Sequence, residues 1–405
     1  MADMHDAVLI VGAGLLQVPA IDIAHKEGLV VVITDVNPQA PGMSVADEAV
    51  TLDIYDVDGH LALVDSLKQK YNLKAVFTEG ADVEVTVAAA AARAGTPGIP
   101  VEVATRCKNK VLMRECFEGS GIKNPRWGEV NSLKKARKVA AEVGYPFIVK
   151  AVDNCASRGT SKVFSEDELD SAVELAMANS TTGTALIEEL LTGEEQSVEM
   201  IYSKKGEPHY LNVVDRLFVQ EGPWAIEQGH VNPSGLSQAQ QEMLFGLAEA
   251  ASKAVGVGFS IFKADTIWTS NGPMILEVTA RLSGGFDCQY TTPLATGRNF
   301  IKAVLDLARG RDIDKADITP KWRRYSVALS AFPTPGVVKS INGVDKALSL
   351  PGVEHVFTRV DVGEEIEPYI NCAVRPAFVI ASGDTREQAI SNAQAGVAAL
   401  NIQTE

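Results

Sequence analysis

What the chain lacks narrows it first. Its five cysteines, Cys107, Cys116, Cys155, Cys288 and Cys372, are scattered with no CxxC pair. That excludes a zinc ribbon or a disulfide frame and reads as reduced thiols in a reducing compartment, the cytoplasm. There is no basic excess: 37 lysines and arginines against 52 acids leave a net charge of −15. A general nucleic-acid binder needs a basic face, so that class is set aside. No apolar run approaches the ~20 residues of a membrane span, and the first six residues are too polar for a secretion signal. Internal repeats and low-complexity tracts are absent. The phosphate-binding pattern GxxxxGK[ST] is missing, and GxGxxG fails at its third glycine, where Gln17 stands.

What is there is an ordinary globular composition, 46% apolar and 22% charged, over 405 residues, enough for two or three domains. Residues 7–12 form an apolar run, followed by Gly12-Ala13-Gly14. A helical pattern runs from Leu15 to Glu27, with Leu16, Ala20, Ile23 and Ala24 on one face, and a second strand closes on Asp35. This is a βαβ unit, and the rhythm continues to about residue 100, predicting a small doubly wound parallel α/β domain. Its crevice falls at Gly12–Gly14 and Thr78–Asp82. A dinucleotide site there is the obvious reading, against which Gln17 speaks.

Further along, the periodicity predicts one helical stretch over Thr105–Ser120, a helix over Leu133–Val143, and a capped helix over Ser237–Val255 with Met243, Leu247, Ala250, Ala251 and Ala254 inward. Residues 219–235, which hold Trp224 and His230, read as a loop long enough to suggest function. After a charged joint at 309–320, short strands and a helix over Thr385–Leu400 make a small closing lobe.

The chemistry concentrates in residues 258–285. Two apolar runs flank the turn signal Ser270-Asn271-Gly272, the first carrying Asp265 and the second Glu277 and Arg281. Twelve residues separate the two acids, so a hairpin can set them side by side, with Glu277, Thr279 and Arg281 on one face. Paired carboxylates beside an arginine suit a hard divalent cation shared with phosphate; edge charges in a salt bridge would look the same. Upstream, Lys150 ends a buried strand before a small-residue loop in which the backbone of Ser157, Arg158 and Gly159 can cradle an anion. A strand-end lysine that merely reaches solvent is the plain alternative. The linker Glu188-Glu189-Leu190-Leu191 can read an adenine edge through its main chain, and Glu195 can reach a ribose, although bare glutamates are ordinarily surface charges.

The order of these signals resembles the ATP-grasp superfamily, in its carboxylate–amine ligase branch. The sequence runs from a lysine near a helix start to a lysine at a strand end, a small-residue loop, Glu-Glu-x-Leu, a glutamate, and then Asp…Glu-x-x-x-Arg. The resemblance implies an ATP-grasp fold: an N-terminal α/β domain over 1–104, a nucleotide- and metal-binding region over 105–310, and a C-terminal closing lobe over 311–405. It implies that Lys110 and Lys150 grip the ATP phosphates and that Ser157–Gly159 closes over them. Glu188, Glu189 and Leu191 would read adenine, and Glu195 the ribose. Asp265 and Glu277 would hold magnesium, or manganese in its place. Arg281 would be catalytic, and Gly284 and Gly285 would line the acceptor pocket beside Arg216 and His230. Thr279 departs from the usual asparagine two residues past the metal glutamate, which leaves the number of metals open.

The activity so implied is ADP-forming ligation of a small carboxylate to a small amine, amino acids among them, by a protein that binds neither nucleic acid nor membrane; homodimerisation is the assembly expected of the class. Bicarbonate activation on the same fold, and a nucleotide-binding regulator without turnover, are the rival readings.

Overall fold

The computed structural model describes residues 4–219 and 222–405. Four parallel strands open the chain, ordered Glu48–Thr51, Val30–Asp35, Asp6–Val11, Asn72–Phe77. Side chains alternate faces along a strand, and both faces are covered. Leu9, Val11, Val32 and Val76 pack against Val64, Leu67, Ala90 and Ala91 of the helices Val57–Lys70 and Glu84–Ala94. Val8, Ile10, Val31 and Ile33 pack against Ala20, Ile21 and Ala24 of the helix Val18–Lys26. The same core takes in Phe300, Val304 and Leu307 of the distant helix Phe300–Ala308, which fastens this layer to the rest.

A small antiparallel sheet follows, ordered Trp127–Val130, Ala185–Glu189, Phe147–Ala151, Ser161–Val163. Ala136, Ala140 and Leu169, Val173, Ala176, from two helices, cover it. The third sheet is antiparallel with eight strands, from Gly272–Thr279 at one edge through Ser260–Thr269, Glu194–Tyr202, Pro208–Phe218 and Glu227–Asn232 to three strands of the C-terminal region. The strand Tyr325–Ala331 pairs directly with Glu227–Asn232, so the C-terminal lobe continues the central sheet. Together with a smaller three-stranded sheet of Glu365–Ile366, Gly336–Asn342 and Asn401–Thr404, these sheets and their helices make a mixed α/β fold with a parallel sheet in the N-terminal region. No helix among the described residues is long and apolar enough to cross a membrane.

Three local expectations are corrected. The stretch Thr105–Ser120 is two helices, Val101–Lys108 and Lys110–Gly119, broken at Asn109, whose extended backbone lets its side chain accept from the Val111 and Leu112 amides. In the helix Gln238–Val255, capped by Ser237 and Gln240 as a capping box and closed by Gly256, the inward stripe is Leu244, Ala248, Ala251 and Val255. Of the expected inward residues, Ala251 is buried and Leu247 and Ala254 pack against the same core, whereas Met243 is 54% exposed and Ala250 is exposed. The supposed loop over 219–235 contains the strand Glu227–Asn232, which carries His230 into the sheet; within it, residues 220 and 221 lie outside the described residues.

Candidate active site

The hairpin forms the floor of a cleft of about 1000 Å³. Asp265 and Glu277 face each other as register partners on neighbouring strands. Lys263, two residues before Asp265 and therefore on its face, places Nζ 2.6 Å from Oδ1, the Ser197 hydroxyl donates to the same oxygen at 2.6 Å, and Arg216 lies 3.4 Å from Oδ2. Burial alone would raise the Asp265 pKa, but Arg216 and then Lys263 outweigh it and hold the carboxyl well below its ordinary range. Glu277 meets Lys110 at 3.0 Å. Lys110 is buried in the first turn of its helix and also donates to the Asn154 carbonyl at 2.8 Å. Burial would lower its pKa, yet Glu277 prevails and raises it.

Arg281 stands two residues beyond the strand and reaches back to the first layer, donating to Asp82 Oδ1 through Nε at 2.9 Å and Nη2 at 2.5 Å. Lys150 and Arg114 share the buried Glu188, at 2.7 and 2.6 Å. Burial pushes Glu188 up, but Arg114 and Lys150 together hold its pKa at about 2. Arg114 also donates to the Ile275 and Leu276 carbonyls, so it holds the strand that carries Glu277.

The small-residue loop is tightly wound, with Ala156 and Ser157 at positive φ. Arg158 folds back onto the Asn154 side chain and the Cys155 sulfur. Cys372 of the C-terminal lobe closes on this loop: its amide donates to the Ala156 carbonyl at 2.9 Å, and its sulfur lies 3.6 Å from Ser157 Oγ.

All the predicted site residues except Gly159 line this one cleft. Gly159 packs behind the loop at φ +68°, where an added Cβ would lie 2.7 Å from that of Asn179. Glu189 pairs with Arg126 at 3.3 Å, and Glu195 with Arg216 at 3.0 Å. Arg216 is engaged by three carboxylates, those of Glu195, Glu227 and Asp265. Trp224 is half-buried and outside the lining, whereas His230 is in it. Gly284 abuts the Gly80 carbonyl, so the two glycine turns meet across the layers.

The sequence reading passed over Arg114, Lys263, Glu227 and Asp287 and left Asp82 unpaired. Two of these carried a signal: Lys263 shares a strand face with Asp265, and Arg114 lies one helical turn from Lys110.

The donor set suits magnesium. Among the described residues no group of three His, Cys, Asp or Glu side chains is placed to hold a metal ion by itself, so an ion on Asp265 and Glu277 would complete its shell with phosphate oxygens and water, as magnesium does. The Thr279 hydroxyl adds an oxygen on the same floor; it is buried and has no hydrogen-bond partner among the described residues.

Comparisons with known proteins agree with this architecture. Residues 143–289 match the ATP-grasp domain, and residues 329–405 match the L-amino acid ligase C-terminal domain 2. The fold superposes on the crystal structure of L-amino acid ligase from Bacillus licheniformis with a TM-score of 0.83 at 20% identity, covering 99% of both chains. The biotin carboxylase domain dimer of Hydrogenobacter thermophilus 2-oxoglutarate carboxylase, in complex with MgADP, ADP and bicarbonate, gives 0.75 at 19% identity over 99% of this chain and 91% of that one. In sequence, the formate-dependent phosphoribosylglycinamide formyltransferase of Parasynechococcus marenigrum (strain WH8102) is 26% identical over 367 residues, 87% of this chain and 89% of the relative.

Proposed function

We propose that this chain is an ATP-grasp enzyme of the carboxylate–amine ligase kind, using ATP and magnesium, and that it joins amino acids through an amide bond. The amino-acid class is supported by the C-terminal match to an L-amino acid ligase domain and the fold likeness to such a ligase. In this reading residues 1–104 wall the cleft, 105–310 hold nucleotide and metal, and 311–405 close it.

A carboxylate is a poor acyl donor because its leaving group would be oxide. Phosphorylation by ATP turns that oxygen into phosphate, a transfer governed by positioning and charge neutralisation. Lys110 and Lys150 bind the phosphates, and the Ser157 and Arg158 backbone covers them. Glu189 and Leu191 border the adenine, and Glu195 the ribose. Asp265 and Glu277, with Thr279 beside them, would hold magnesium, which when bound would screen the phosphate charge. Arg281, fixed by Asp82, steadies the negative charge that develops as the amine adds to the acyl phosphate. Glu188 is sealed between Arg114 and Lys150, so its part is to aim Lys150. Arg216 organises three acids of the site, and Gly284 and Gly285 leave room for the acceptor.

The observation that carries the reading is the convergence of Lys110, Lys150, Asp265, Glu277 and Arg281 on one cleft. It is tested by phosphate release from Mg-ATP with a panel of amino acids, other carboxylates, amines and bicarbonate, with product masses read in parallel. A product equal to acid plus amine minus water supports ligation. Release with bicarbonate alone would move the assignment to carboxyphosphate chemistry. Sedimentation would test homodimerisation, which a neighbour crystallised as a dimer suggests.

A further inference from the structure

Behind the acceptor side of the cleft lies a buried polar chain that the ligase reading has not used. It begins where Phe286 takes a left-handed turn, φ +74°, and starts the π-helical turn Asp287–Thr291, which runs on into the helix Thr292–Thr296. That winding puts Asp287, Thr291 and Thr292 on one side. Asp287 Oδ1 accepts from Thr291 Oγ1 at 3.0 Å, from Thr292 Oγ1 at 2.9 Å and from Asn232 Nδ2 at 3.0 Å. Asn232 and Asn212 also donate to Thr292 Oγ1, at 2.8 and 3.0 Å. His230, two residues before Asn232 and so on the same strand face, has Nε2 2.8 Å from Thr291 Oγ1.

This chain sets the tautomer of the imidazole. Thr291 has one hydroxyl proton, and the carboxylate beside it is the stronger acceptor. The Thr291 oxygen is then left to accept, so Nε2 carries the ring proton. A neutral imidazole has one N–H, and its other nitrogen keeps a lone pair. Nδ1 has no hydrogen-bond partner among the described residues, in a buried side chain that lines the cleft. Asp287 and Glu227 face the ring as negative charges, Arg375 and Arg216 as positive ones; burial dominates and favours the neutral form.

We infer that His230 is the base that takes the proton from the amine nucleophile, through Nδ1, with Thr291 and Asp287 as positioning residues. The inference rests on the ligase reading. The α-amino group of a free amino acid titrates above the peptide N-terminal value of about 8 and is ammonium at neutral pH, without the lone pair that attack requires. The N–H bond of the ammonium breaks and the proton passes to Nδ1. The freed lone pair forms the C–N bond, and the C–O bond to phosphate breaks with its electron pair. The second amine proton leaves on that phosphate, and His230 then releases its own proton to solvent.

The test uses the full chain with Mg-ATP and a mixture of the common L-amino acids, with and without hydroxylamine. Hydroxylamine is largely unprotonated at neutral pH, so it traps the acyl phosphate as hydroxamate without needing a base. In Thr291→Val the ratio of dipeptide to hydroxamate should fall about 10²-fold at neutral pH and recover as the solution is made alkaline. Thr291→Ser, which keeps the hydroxyl, should hold the wild-type ratio. An unchanged ratio in Thr291→Val, or an equal loss of both products at every pH, would overturn the inference. If Thr291→Val does not fold, Asp287→Asn carries the same measurement and should show a smaller fall of the same sign. Hydroxamate without dipeptide from the wild-type chain would reject amino acids as the amine, and with them the base. Neither product from the wild-type chain would overturn the ligase reading itself.

Discussion

Two groups of mostly buried carboxylates lie within this molecule and behave in opposite ways. Under the cleft, Glu188 and Asp265 each touch two cations and Asp82 is clasped by Arg281; all three are held below the ordinary carboxyl range despite burial. Behind the glycine turns, Glu79 and Glu199 have no cation at hydrogen-bonding distance among the described residues, and each keeps one oxygen without a partner. Burial pushes them up, to about 8 and about 7. The same desolvation gives opposite outcomes, and what decides is whether a lysine or arginine arrives with the acid. The first region keeps its cations aimed and its acids charged, which suits the phosphate and metal site proposed for it. In the second, burial favours the protonated forms of Glu79 and Glu199.

The largest effect should come from stripping a cation out of the first region. Arg114→Met leaves Glu188 buried with Lys150 alone and frees two carbonyls of the neighbouring strand. Breaking such a buried pair costs about 3–5 kcal/mol, and urea unfolding should register it; a change within error would mean that Glu188 takes up a proton without strain. Next comes the charge itself. Glu277→Gln keeps shape and removes the carboxylate opposite Asp265. Turnover should fall about 10²–10³-fold while the unfolding midpoint stays near wild type. Retained turnover would remove Glu277 from the metal site.

The contrast also shows how much of the molecule can be read from sequence. The twelve-residue spacing around Ser270-Asn271-Gly272 was legible because a hairpin is local, and so were the two ends of the helix that Ser237 caps. Lys110 and Lys150 were legible as cations poised at element ends. Their partners were less so. Arg114 meets Glu188 across 74 residues and Arg281 meets Asp82 across 199, and no local pattern announces pairings of that range. The strand Glu227–Asn232 was hidden for a related reason. Its sequence, EQGHVN, has little strand character, and it is extended because Pro208–Phe218 and Tyr325–Ala331 hold it from both sides. The second group was invisible altogether: Glu79 and Glu199 come together from different layers, and a buried glutamate reads like an exposed one.

A milder change tests whether the first region matters for aim or only for charge. Asp82→Asn retains one acceptor for Arg281 but removes the charge that fixes its guanidinium. Turnover should drop about ten-fold, as expected when a group that must meet a developing charge is less well placed, with the KM for ATP little altered. An equal loss in ATP affinity would instead place Arg281 on the nucleotide in the ground state.

The last effect belongs to the second region and is spread over pH, and its sign is opposite to the usual one for acids. Burial raises the Glu79 pKa from 4.5 to about 8, with Glu199 adding to the rise and the Cys288 thiol and Gln289 opposing it. The folded chain therefore holds this proton up to about pH 8, whereas the unfolded chain releases it near 4.5. Between those values the folded state binds more protons, so stability is greatest below the unfolded value and declines as pH rises toward 8. Glu188 works the other way: its contribution is present above 4.5 and is lost as pH falls toward 2. Glu79→Gln keeps a neutral side chain of the same shape and removes the proton, so its stability should fall less steeply than the wild type's between pH 5 and 8, by about 1 kcal/mol per pH unit. Urea unfolding across that range measures the difference in slope. Parallel curves for the two chains would mean that Glu79 is ionised in the folded state, and the division into a charged and a neutral region would fail at that residue.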